Sequence, residues 1–220
     1  MGTLEYILQK YKIRNIAGKL PIEIPDMDRE ELAKLFGELT FKIGAEIGVE
    51  SGLYSDMLLT NNPSLHLLSI DAWRAYRGYR DHTSQQKLDR FYEETKKILA
   101  PYGSRSEIWK NSSAEALPHI RDNSLDFVYI DANHAFYNVA HDIHNWLKKV
   151  KVGGIISGHD YKKHKPGVNI HVKQVVQAYA DSYFIRPWFV VGSQAKHEGW
   201  KRDDSRSWFW IKTEGEYGTL

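Results

Sequence analysis

Two apolar runs of this chain end in the same chemical way. Asp126 to His134 reads DFVYIDANH, bulky residues in alternation that break at Asp131 and present His134 three residues on. Gly153 to Asp160 reads GGIISGHD, a second apolar run that closes on His159 and Asp160. Each is a strand by length and composition, so two successive strand ends each present a carboxylate and an imidazole. Oxygen and nitrogen donors on adjacent strand ends can hold one divalent cation, and the carboxylates favour magnesium or manganese. An imidazole, with an ordinary pKa near 6.5, also exchanges a proton at neutral pH.

These ends need a sheet to align them, and the chain supplies one. Phe41 to Gly52, FKIGAEIGVESG, starts as a buried strand, breaks into a loop carrying Glu46, Gly48 and Gly52, and passes into the helical run LYSDMLL. Glycines at such a junction bring backbone close to a ligand, and amide groups at the helix start attract electron-rich groups. Glu50 and Leu53 stand where a dinucleotide-binding loop has glycines, and Glu46 repels a pyrophosphate, so an NAD-dependent oxidoreductase is disfavoured. LHLLSI then forms a second strand ending at Asp71, 25 residues after Glu46, where an acidic side chain can accept hydrogen bonds from both ribose hydroxyls of a nucleoside. SEIWK forms a short third strand, followed by Ser112 or Ser113 as a helix cap. The runs ending at Asp131 and Asp160 are the fourth and fifth strands. PWFVVG from Pro187 and SWFWIK from Ser207 are the sixth and seventh.

The acidic residue followed by a glycine loop resembles the first motif of class I S-adenosylmethionine-dependent methyltransferases, whose cationic sulfonium cofactor tolerates acidic neighbours. The D-x-x-H followed by G-G-I-I-x-x-H-D is similar to the metal-dependent O-methyltransferases of the macrolide-sugar type, over roughly residues 41 to 161. This resemblance implies an S-adenosyl-L-methionine site made by Glu46, Gly48, Gly52, Asp71, Trp73, Ser113 and Asp131, with Asp71 on the ribose, Trp73 against the adenine face and Ser113 at its edge. It implies Asp131, His159 and Asp160 as ligands of Mg2+ or Mn2+, His159 standing where the pattern has an acidic residue, and a catalytic pair of His134 and Asp131 with His134 as base. The reaction implied is displacement of the activated methyl group by a hydroxyl of a small acceptor, of sugar or natural-product type.

The expected fold is α/β, a single domain with a seven-stranded, mostly parallel Rossmann-like sheet, its last strand antiparallel and helices on both faces. Residues 1–26 read as an N-terminal arm and 27–220 as the methyltransferase domain. Within it, 74–92 is a polar, aromatic excursion suited to a lid or substrate insertion. Asp28 and Glu31 are spaced as in a capping box ahead of Leu32, Leu35, Phe36 and Leu39, an amphipathic helix over the sheet. Seven Trp and thirteen Tyr are present, and those from Trp73 to Tyr79 read as surface aromatics facing substrate or a homodimer partner.

The absence of cysteine excludes thiol catalysis, cysteine-bound zinc and a disulfide framework, and fits a reducing cytoplasmic setting. No apolar run reaches 18 residues, so no membrane association is expected. A net charge of +2 creates no broad field for nucleic acid, and no N/D-P-P-Y/F motif points to base methylation. The alternative reading is a non-catalytic nucleoside-binding or assembly module, in which Asp131, His134, His159 and Asp160 are structural.

Overall fold

The computed structural model describes residues 1–76, 84–165, 167–194, 198 and 203–215 of the 220-residue chain. Helix α1 (Thr3–Lys10) and strand β1 (Ile22–Ile24) precede α2 (Arg29–Glu38). Strictly alternating units follow: β2 (Ile43–Ile47), α3 (Leu53–Asn61), β3 (His66–Asp71), α4 (Gln85–Leu99), β4 (Ser106–Lys110), the short α5 (Ser113–Ala116), β5 (Leu125–Ile130), α6 (Phe136–Lys149) and β6 (Val150–Gly158). Helix α7 (Val172–Ser182), β7 (Phe189–Val191) and β8 (Ser207–Ile211) complete the order.

The strands form a single sheet in the order β1-β7-β8-β6-β5-β2-β3-β4. Strand β8 runs antiparallel to β6 and β7, while the other pairs are parallel. The α/β class, the mostly parallel sheet and the antiparallel final strand agree with the sequence reading, but the described residues form eight strands rather than seven. The extra one is β1, which pairs in parallel with β7 through Ile22↔Phe189. Within residues 1–26, α1 and β1 both pack onto the domain. Ile7 and Ile24 are buried in the core, and the Thr3 hydroxyl donates to the Gly153 carbonyl at 2.6 Å. Three strand residues are too few to show a period in sequence, which is why β1 was not legible there.

The core has two layers because strand side chains alternate between faces. Ala45, Ile47, Val128, Ile130 and Ile156 pack under Val139, Ile143, Trp146 and Leu147 of α6 and Val175 and Val176 of α7. Leu67, Phe127, Tyr129, Ile155 and Phe209 pack on the opposite face under α2 and α3. The stripe expected for α2 buries Leu32, Leu35 and Phe36, and the Asp28 carboxylate caps the helix by accepting from the Glu31 amide at 3.0 Å. Ser112, not Ser113, caps α5, in a reciprocal box with Glu115. Gly153 and Gly154 lie inside β6, since α6 passes into the strand at Val150.

Gly44 faces Phe127 across the β2–β5 ladder, and a Cβ there would overlap the phenyl ring. The ring thus lies down on bare backbone and stacks on Phe36 at 4.1 Å between centroids. Phe127→Ala should cost about 3–5 kcal/mol of unfolding free energy. A denaturant titration would show this as a lower midpoint at nearly unchanged slope.

Candidate active site

The site begins where β2 ends. Gly48 has φ +90° and Gly52 φ +87°, a conformation that L side chains rarely adopt. A Cβ on Gly48 would run into the backbone carbonyl of Asp131. Beside it, the Gly48 amide donates to the Ile70 carbonyl at 2.9 Å and the Asp131 amide to that of Ile47 at 2.8 Å. Glycine is therefore the residue that lets the loop after β2 lie against the loop after β5.

Asp71, at the end of β3, ties this loop down. One carboxylate oxygen accepts from the amides of Val49 and Glu50, both at 3.0 Å, and the other from the Trp73 amide at 2.9 Å. The side chain lines the cavity, but its first structural role is to fix backbone. Trp73 departs from the sequence reading. It is fully buried between Val49, Leu88 and Tyr92, its indole N–H donates to the Glu50 carbonyl at 2.7 Å, and it is not among the cavity-lining residues. It is a prop under the loop rather than a surface for a base. An aromatic in a polar stretch looked exposed because the apolar cover comes from α4, which is distant in sequence.

Glu46 is 2% exposed, with its carboxylate accepting from the Ser55 hydroxyl. Burial raises its pKa, against the Ser55 hydrogen bond and with help from the Asp131 charge, to about 8. It is thus largely a neutral acid at pH 7.

The ends of β5 and β6 bring together the cluster anticipated from their sequences. His134 Nε2 lies 3.3 Å from Asp131 Oδ1 and 3.1 Å from Asp160 Oδ2. Asp160 sits at φ +56°, and the His171 amide donates to the His134 carbonyl at 2.8 Å, tying the residue to the start of α7. Asp131, His134 and Asp160 each offer a ligand atom within 4.8 Å of the others. Two carboxylates and one imidazole at that separation fit a divalent cation.

His159 falls outside this trio and takes a different role from the ligand expected. Its Nδ1 faces Asp131 Oδ2 at 3.4 Å and its Nε2 faces Asp203 Oδ1 at 3.8 Å. Burial works against its charge, but hydrogen bonds to Asp131 and Asp203 and the charges of Asp131 and Asp160 outweigh it and raise its pKa to about 10. A protonated ring has no lone pair for a metal, so His159 acts as a cation between two acids. Asp131, partly buried and facing both imidazoles, is held well below the usual carboxylate range.

These groups line a cavity of about 680 Å³ that runs from the glycine loop to the β5 and β6 ends. Ser113 lines it too, but its hydroxyl donates to Asp142 and accepts from the Trp146 indole at 2.8 Å, so that side chain holds α5 to α6. Of the expected lid, residues 77–83 lie outside the described residues and 85–92 are the first turns of α4. Tyr76, within that segment and among the aromatics expected to face substrate, lines the cavity and accepts a hydrogen bond from the Asn133 amide group at 2.7 Å, linking the β3 and β5 loops across the cavity edge. Arg29, Asn133 and Asp203 are not legible as site residues in the sequence, because each sits in a stretch whose polarity suits a solvated surface equally well.

A Gly-loop junction, an acidic β3 end and a carboxylate–imidazole cluster gather around one cavity at the strand ends of a doubly wound α/β sheet, the edge where such sheets bind ligands. The family model described as "Methyltransferase domain" matches residues 45–161, and the chain belongs to that family. The fold is similar to an O-methyltransferase from Bacillus cereus solved with SAH, at TM-score 0.59 and 18% identity over 96% of this chain and 90% of that one. It is also similar to TomG from Streptomyces achromogenes, an O-methyltransferase involved in tomaymycin synthesis and solved with SAM, at TM-score 0.57 and 16% identity over 96% and 89%. A curated relative, the uncharacterized protein y4gI of Sinorhizobium fredii, is 20% identical over 146 residues, which are 66% of this chain but 15% of that much longer protein. No helix among the described residues is long and apolar enough to cross a membrane.

The Glu46 environment carries a pH signature. Its folded pKa lies above its ordinary value of 4.5, so its contribution to stability is fully present below about pH 4.5 and is lost as pH rises through about 8. Thermal unfolding from pH 5 to 9 should show this loss in the wild type. Glu46→Gln, which retains an acceptor for Ser55, should flatten it, and equal slopes for the two proteins would refute the buried neutral acid.

Proposed function

We propose that this methyltransferase moves the methyl group of S-adenosylmethionine to a hydroxyl of a small acceptor, plausible acceptors being sugars or other polyhydroxylated molecules. The observation that carries this reading is the position of His134, its Nε2 facing Asp131 and Asp160 at one end of the cavity whose other end is the glycine loop. The acceptor oxygen attacks the methyl carbon, the new C–O bond forms as the C–S bond breaks, and the hydroxyl proton passes to the His134 ring, whose Nε2 proton the two carboxylates hold. The two carboxylates stabilise the imidazolium that results. Gly48, Gly52 and Asp71 shape the nucleoside end, and the same fold in the SAM- and SAH-bound O-methyltransferases supports that placement.

The donor geometry favours a second version. Asp131, His134 and Asp160 can together hold Mg2+ or Mn2+, which when bound lowers the pKa of an adjacent hydroxyl. His134 Nε2 cannot hold a proton toward the two carboxylates and bind a cation at once, so the versions are exclusive in their use of this atom. Asp131, engaged by both His134 and His159, orients the cluster in either version.

The test is production of S-adenosylhomocysteine from S-adenosylmethionine over a panel of hydroxylated acceptors, with chelator-treated protein and with added magnesium or manganese. His134→Ala should lower turnover by roughly 10²–10⁴-fold while S-adenosylhomocysteine still binds. Turnover that survives chelation supports the imidazole base. Turnover that needs the cation, with calorimetric metal binding lost in Asp160→Ala, supports the second version. A wild type that does not bind S-adenosylhomocysteine at millimolar concentration would overturn the cofactor assignment.

A further inference from the structure

The cavity contains a cation that the scheme above leaves unused. Arg29 is the first residue of α2, directly after the Asp28 cap. The Tyr54 hydroxyl donates to its backbone carbonyl at 3.0 Å, and its guanidinium lies 5.5 Å from the centroid of the Tyr54 ring, so both ends are held against α3. The side chain is half-buried and lines the same cavity as Gly48, Leu53 and Asp131.

Arg29 forms no ion pair among the described residues, because the nearby acids face other groups. Asp131 faces His134 and His159, and Asp203 faces His159 from the other side. Arg74, the other arginine lining the cavity, is paired with Glu115 at 3.4 Å. A guanidinium has five N–H donors in a planar fork that suits a carboxylate, and burial without a partner leaves that capacity unfilled. A simple anion would meet the field of Asp131 and Asp160 in this cavity. A zwitterion would not, since its cationic group can face those acids while its carboxylate faces Arg29.

We infer that Arg29 is the carboxylate-recognising residue of the site and binds the α-carboxylate of the amino-acid arm of the methyl donor. The inference rests on the cofactor reading above and narrows it, since the site then selects a nucleoside carrying an intact amino acid over one whose arm ends in a simple amine. Tyr54 acts through Arg29, holding the helix start and flanking the guanidinium.

Calorimetric titration with two ligands tests this. S-adenosylhomocysteine carries the carboxylate, and its decarboxylated analogue, S-adenosyl-3-thiopropylamine, keeps the nucleoside, thioether and ammonium but lacks it. Arg29→Met, which keeps much of the aliphatic stem, should weaken S-adenosylhomocysteine by about 10- to 100-fold and leave the analogue within about twofold. Arg29→Lys should recover part of the loss. An equal loss for both ligands, or no loss for either, overturns the role of Arg29 and leaves the cofactor reading standing. A wild type that binds neither ligand overturns both. Should Arg29→Met lose both ligands along with a lowered unfolding temperature, the same comparison on Arg29→Lys decides: selective weakening supports the inference and parallel weakening overturns it.

Discussion

The site depends on one close approach of backbone to backbone. The ends of β2 and β5 come so near that Gly48 lies against the Asp131 carbonyl with no room for a side chain between them. The positive φ of Gly48 lets the chain turn away at that point, and the Asp71 carboxylate then collects the next amides as they emerge. Trp73 and Thr95 close the loop from below, both holding the Glu50 carbonyl. Loop, carboxylate and indole form one rigid unit, and the chemical groups on β5 and β6 acquire their positions relative to it. The two ends of the cavity are thus set by the same contact.

Around that contact the charges are balanced rather than simply acidic. Glu46, Asp131, Asp160 and Asp203 would repel one another if all were ionised in a partly dry cavity. The molecule answers in two ways. Glu46 is buried and held largely neutral, while His159 is held protonated between Asp131 and Asp203. Asp131 can then remain ionised next to His134, and a carboxylate beside an imidazole is what a proton acceptor requires. Substituting His159 by an acid, as the resembling O-methyltransferases have it, would change this balance, so this chain handles charge at the β6 end by its own arrangement.

Much of this was legible before any coordinates. The order of strands, the glycine loop and the paired Asp and His at two strand ends are local signals, each written within about ten residues, and parallel topology places such ends on one edge. What failed had a common cause. Trp73 was read by the polarity of its own neighbours, yet its burial is decided by Leu88 and Tyr92 on α4. Ser113 does line the cavity, while Asp142 and Trp146 of α6 also hold its hydroxyl. His159 was read as a ligand from its place beside Asp160, yet Asp203, from a charged stretch with no pattern of its own, fixes its charge. Each miss is a side chain whose role is set by a partner far along the chain, which no local window contains.

The pairing of β1 with β7 bears on how the molecule is assembled. Residues 22–24 come early in synthesis, yet their place in the sheet exists only once residues 189–191 and the antiparallel β8 beside them have been made. During translation the glycine loop and the β5 and β6 ends can come together while this early segment still waits for its partner. Its docking is then a late, long-range closure, in which the entropic cost of joining distant segments precedes the contacts that offset it. Helix α1, which reaches Gly153 at the far end of β6, would travel with it, so the early part of the chain acts as a clasp drawn over a sheet that is already largely formed.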